Sequence, residues 1–122
     1  MPVQPHEFFI LAEITEESDE IFLRNAMSRA YYAVYHECLA LSDANDINLD
    51  QNSDGGEHQK LCHALQRDGK FAAIGDSLSK LRLKRVRADY HIGATIGLRE
   101  ARKVVCTSKN LFEQTKIAGR NV

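Results

Sequence analysis

Apolar residues recur along this chain at intervals of three and four, the pattern of one buried helical face. No segment alternates apolar and polar residues over a strand length between turn residues. The spacing predicts a first helix over about Val3 to Ile14, with Pro2 and Pro5 tolerated near its start and an apolar cluster of Phe8, Phe9, Leu11 and Ala12. Ser18 or Asp19 can cap a second helix that carries Leu23, Met27, Ala30, Val34, Cys38 and Leu41 on one stripe. Asn45 to Gly56, rich in Asn, Asp and Gly, predicts a mobile surface loop outside any catalytic centre. A short third helix from about Glu57 to Arg67 is expected to stop at Asp68-Gly69, with Gly69 left-handed. A fourth runs from about Ala72 to Tyr90 or His91 and breaks at Gly93. Thr95 can cap a fifth that reaches about Ile117, ahead of a fraying tail. The expectation is an all-α antiparallel bundle of about five helices, one domain over 1–122.

Composition fits that picture, since 43% apolar and 27% charged residues over 122 positions supply one core and not two. Charge narrows the partners. With 16 Lys and Arg against 17 Asp and Glu, the net charge of −1 gives no global field for nucleic acid, so any RNA contact has to come from a local patch. The longest apolar runs, such as Phe8 to Ala12, fall far short of the ~20 residues that span a bilayer. The opening MPVQPHEFF lacks the basic flank of a signal peptide, so the expected location is the cytoplasm. Cys38, Cys62 and Cys106 are odd in number and set in apolar helical contexts, which reads as reduced core thiols. His58, Cys62 and His63 can share one turn in the manner of zinc ligands, but spacing suggests no fourth ligand. Neither a metal nor another cofactor is expected.

The chemistry concentrates in the fourth helix. Its stripe Leu78, Leu81, Ala88 and Ile92 keeps core spacing only if Arg85 is counted as the missing member. A guanidinium stays charged, so its burial demands an acidic neighbour, an edge position or a bound anion. Asp89, one turn on, can be that neighbour. Presented in a cleft, the same planar fork suits phosphate. His91 lies six residues beyond Arg85, about 240° away around a straight helix. The two converge only through a bend near Gly93 or through a second copy of the chain. A lone histidine at a helix end also suits a cap or a surface position. The segment KLRLKRVR gathers Lys80, Arg82, Lys84, Arg85 and Arg87 without an acid, either a patch for a phosphate backbone or a solvated face. In the second helix, Arg29, Tyr31, Tyr32, Tyr35 and His36 mix cations with rings that can stack on bases or pack in the core.

Two of these segments, read together, resemble a family. SRAYYAVYHECLAL, Ser28 to Leu41, is similar to the long aromatic helix of bacterial HEPN proteins, and RVRADYH, Arg85 to His91, is similar to their Arg-x-x-Ala-Asp-Tyr element. His58 resembles the histidine that often opens their next helix, and the resemblance covers most of 18–117. It implies a helical bundle that forms a homodimer, bringing two copies of the motif to one cleft. It also implies a catalytic signature of Arg followed by His after four to six residues, which Arg85 and His91 meet and Arg87 and His91 do not. The implied activity is that of a metal-independent endoribonuclease of the toxin-antitoxin or phage-defence kind, in which the ribose 2′-hydroxyl attacks the adjacent phosphate. In that role His91 is general acid and base, and Arg85 binds the scissile phosphate and stabilises transition-state charge. Asp89 orients Arg85, and Tyr90 contacts RNA or supports the cleft. Arg29, Tyr32, Arg82 and Arg87 are the candidate RNA contacts, and an antitoxin or nucleotidyltransferase is the implied partner. Members that carry the element without the histidine act as binding modules. The alternative is therefore a non-catalytic module for nucleotide, RNA or a nucleotidyltransferase.

Overall fold

The computed structural model describes residues 2–49 and 55–120. The side chain of Asp19 accepts the Phe22 N–H at 2.9 Å and launches α1, Glu20–Ala44, which carries most of the core stripe. Its C-terminus closes on Asp46, left-handed at φ 57°, with the Ile47 N–H donating to the Ser42 carbonyl at 2.9 Å. α2 spans Glu57–Arg67, α3 Ala72–Tyr90 and α4 Leu98–Arg120, and the described residues contain no strand. The protein is an all-α helical bundle.

Side-chain pairings set the helix directions. Arg24 reaches Ala88 and Tyr31 faces Arg85, so α1 and α3 are antiparallel. Gln66 bonds Asp76 and Arg87 bonds Glu100, so α3 also opposes α2 and α4. Cys38 meets Thr115 while Glu20 meets Ile96, which lays α4 along α1 in the same direction. α1 and α2 therefore point the same way. At the α2–α3 corner, a Cβ on Gly75 would lie 2.7 Å from the Gln66 backbone nitrogen, so glycine permits the close approach. The core joins Met27, Tyr31, Leu61, Leu65, Leu78, Leu111 and Ile96 from all four helices and the α3–α4 connection.

Several expectations change. The first helix is a 3₁₀ segment over Pro5–Ala12, and Leu11 is exposed. A three-residue turn aligns Phe9 with Ala12 on the inner side, where Phe9 packs edge-on against Phe112 at 5.4 Å. In the predicted loop, Ile47 and Leu49 pack against the core, while residues 50–54 lie outside the described residues. Gly69 is not left-handed. α2 stops at Asp68, whose backbone is extended and whose carboxylate accepts the Lys70 N–H at 2.8 Å. α4 starts at Leu98 rather than at a Thr95 cap, because Ile96 is buried and its N–H is held by Glu20 at 3.2 Å. At the other end α4 continues to Arg120, where a Cβ added at Gly119 would lie 3.6 Å from the Leu41 side chain. Cys38 and Cys62 are buried thiols, but Cys106 is exposed, since the inward face of α4 runs through Ala101, Val104, Val105 and Ser108. Ile92 leaves the core stripe and is 82% exposed, because helical register ends at Tyr90.

Candidate active site

The middle of α1 presents Ser28, Tyr31, Tyr32 and Tyr35 at helical spacing, and α2 and α3 close over that face. The Arg85 guanidinium lies 5.6 Å from the Tyr31 ring centroid, 5.8 Å from Tyr32 and 5.9 Å from Tyr90. Its Nη1 is 3.6 Å from Asp89 Oδ2, and Ser28 Oγ donates to that same oxygen at 3.2 Å. The Arg85 side chain is only 11% exposed. Charge-assisted hydrogen bonds run to about 2.7–2.9 Å, so Asp89 balances the charge without saturating the guanidinium donors. Nε of Arg85 is buried with no hydrogen-bond partner among the described residues, and so are Nε of Arg82 and of Arg29. The interrupted stripe is thus explained: Leu78, Leu81 and Ala88 are core, and Arg85 occupies the missing position inside an aromatic cage.

His58, at the first turn of α2, completes the cage. Its Nδ1 is 2.8 Å from the hydroxyl of fully buried Tyr31, and its ring packs against Tyr35 with centroids 4.0 Å apart, tilted by 30°. Burial pushes the imidazole pKa below the ordinary histidine value, and the cations Arg85 and Arg82, then His36, push it the same way. Burial raises the Tyr31 phenol above the tyrosine range, only partly offset by Arg85 and Arg82. The tyrosine therefore keeps its proton, and its contact with Nδ1 runs from the phenol to the ring or the reverse according to the imidazole tautomer.

His91 stands apart. It is exposed at the C-cap of α3, and among the described residues no hydrogen bond joins its ring to Arg85. Its backbone, however, is held firmly. Arg24, 9% exposed, donates through Nη1 to the carbonyls of Ala88 at 2.9 Å and His91 at 3.2 Å, and through Nη2 to His91 and Ala94. Glu20 balances it at 3.4 Å. Arg24 is the positioning residue that sequence reasoning missed. Its signal was present: adjoining Leu23 and three before Met27, it borders the core stripe of α1 much as Arg85 interrupts that of α3.

Of the other candidates, Tyr32 belongs to the cage, Arg82 acts by its charge on His58 from one turn before Arg85, Tyr90 covers the Arg85 guanidinium from outside, and Arg29 is half-buried on α1. Arg87 turns away. It forms a two-point pair with Glu100 at 2.7 and 3.1 Å and tethers α3 to α4. That pairing holds the Glu100 carboxyl below its ordinary range. Cys62 is buried and its thiol pKa is pushed up to about 11, chiefly by burial. Among the described residues no three His, Cys, Asp or Glu side chains converge on a point where a metal ion could be held, and no helix is long and apolar enough to cross a membrane. Comparison with family models, curated proteins and solved structures finds no match to this chain.

Proposed function

We propose that this protein is a cytoplasmic, metal-independent endoribonuclease that resembles the catalytic HEPN proteins and acts as a homodimer. The observation that carries the reading is Arg85: a guanidinium buried among Tyr31, Tyr32 and Tyr90, with one long ion pair to Asp89 and an unbonded Nε among the described residues. An under-compensated buried cation is suited to an anion, and its planar donors fit a phosphodiester. Arg85 stabilises charge on the phosphoryl oxygens as the 2′-hydroxyl attacks. His91 removes the 2′-hydroxyl proton, and a proton is returned to the departing 5′-oxygen as the P–O5′ bond breaks, leaving a 2′,3′-cyclic phosphate. In one subunit His91 and Arg85 diverge, so the reading needs a second copy to bring them together. Leu83 and Tyr90, seven residues apart on α3 and 57% and 68% exposed, offer an apolar face beside the site for that contact. This face differs from the Arg85 stripe, which is used up inside the chain.

Growth on expression tests the assignment: the parent protein is expected to slow growth, and Arg85→Ala and His91→Ala each to relieve the effect. A toxin of this kind is kept silent by a partner, for which an antitoxin or a nucleotidyltransferase is the expectation. A second reading, a non-catalytic module for nucleotide or RNA, is favoured by one observation: the Arg85 cage is complete without His91. Binding retained by a protein that never cleaves RNA selects it.

A further inference from the structure

The cage holds a group that the proposed reaction does not use. His58 is held by Tyr31 at Nδ1 and packed against Tyr35, beside the two cations that α3 presents one turn apart, Arg82 and Arg85. His58 and Arg85 lean on the same rings: His58 lies 5.5 Å from the Tyr31 centroid and 5.8 Å from that of Tyr32, and the guanidinium 5.6 and 5.8 Å. We propose that Arg82, Arg85 and His58 form one phosphoryl-binding site, with the Nε2–H of His58 as a third donor to the anion beside the two guanidinium groups. This rests on the Arg85 site of the preceding section. It adds a residue from α2 and a coupling of binding to protons.

Three features support it. Two of the three side chains carry buried Nε atoms without partners among the described residues, so donor capacity exceeds what the protein itself accepts. The Tyr31 contact at Nδ1 orients the ring, and the charged imidazole presents an Nε2–H whichever neutral tautomer it comes from. The cations Arg85 and Arg82 dominate the charge that acts on His58. From α1 it faces Tyr31, Tyr32, Tyr35 and His36, from its own helix Glu57 and Cys62, and from α3 Arg82 and Arg85, with Asp89 lying beyond Arg85. A phosphoryl group seated on the arginines would cancel the repulsion that now disfavours a charged imidazole. Anion binding and protonation of His58 therefore favour each other, and the linkage is reciprocal.

The test uses a short 2′-deoxy oligonucleotide, whose diester charge is constant across neutral pH and which has no attacking hydroxyl, and, separately, inorganic phosphate. Imidazole resonances of the full chain are titrated with and without each. The His58 pKa is expected to rise by about one unit on saturation. The matching prediction is oligonucleotide binding that tightens as pH falls from 8 toward 5, up to the roughly tenfold limit that a one-unit shift sets. His58→Gln, checked for fold by circular dichroism, should still bind at pH 8 but lose that pH dependence, and Arg82→Gln should weaken binding at both. A response to the oligonucleotide alone assigns the site to backbone phosphate, and a response to both assigns it to phosphoryl groups in general. An unmoved His58 resonance, or a pH dependence that survives in His58→Gln, overturns the proposal. Cleavage assays on RNA separate the two ideas: a His58 response without cleavage removes the nuclease and keeps the phosphoryl site, and cleavage without the response does the reverse.

Discussion

Both terminal nitrogens of Arg24 donate to the backbone carbonyl of His91 at 3.2 Å, so a side chain from the start of α1 fixes the residue on which the proposed proton transfer depends. The same guanidinium satisfies Ala88 and Ala94, acceptors that the end of α3 would otherwise leave unpaired. Helix termination and placement of His91 are thus one structural event.

Arg24→Leu should therefore cost about 2–4 kcal/mol, because it leaves several buried carbonyls without donors. Arg24→Lys should recover little, since an ammonium cannot span the same fork of acceptors. Urea denaturation measures the loss, and hydrogen exchange should rise at residues 91–96, where Arg24 and Glu20 hold the connection. A change below about 0.5 kcal/mol, the usual surface effect, would mean the clamp is dispensable.

Stability should fall on mild acidification through His58. Its folded pKa lies below the ordinary value of 6.5. The unfolded chain consequently binds the proton first, and the contribution is complete above pH 6.5, then lost as pH falls through the folded value. Denaturation midpoints between pH 8 and pH 5 should show this slope, and His58→Gln should flatten it. An unchanged slope in the variant would place the titrating group elsewhere.

Gly75→Ala reverses a familiar expectation. Alanine normally improves a helix interior by about 1 kcal/mol over glycine, but here the added Cβ would meet the Gln66 backbone at 2.7 Å. Overpacking costs about 1–3 kcal/mol, so a lowered thermal midpoint is expected. A raised one would show that the α2–α3 corner yields easily.

The fold was legible because its signals are local: Asp19 caps α1, the stripe through Leu78 and Leu81 is buried, and Arg85 marks where the core gives way to chemistry. Where reading failed, tertiary contacts had overruled local preference. Thr95 is a good cap by type, yet burial of Ile96 and its bond to Glu20 move the start of α4. Half of the site was legible for the same reason. Asp89 lies one turn from Arg85 and was visible as its partner, whereas Arg24 is 67 positions from His91, a separation at which no periodicity carries information.

Dimerisation should involve the exposed Leu83 and Tyr90 face of α3. Light scattering at micromolar concentration is expected to give twice the 13.8 kDa chain mass, and Leu83→Glu to return the protein to a monomer with its fold intact. A parent protein of 13.8 kDa under those conditions would leave Arg85 and His91 without a means of convergence.

The most direct measurement of the central claim is cleavage of a single-stranded RNA in EDTA, with analysis of the product ends. Attack by the internal 2′-hydroxyl requires 2′,3′-cyclic phosphate ends and no activity on a substrate that is 2′-deoxy at the cut site. It also requires activity that resists chelation, because proton transfer by His91 needs no metal-bound hydroxide. Folded His91→Ala and Arg85→Ala should each lose at least about a hundredfold in rate. Cleavage of the deoxy substrate, loss of activity in EDTA, or full activity in a well-folded His91→Ala would contradict the assignment.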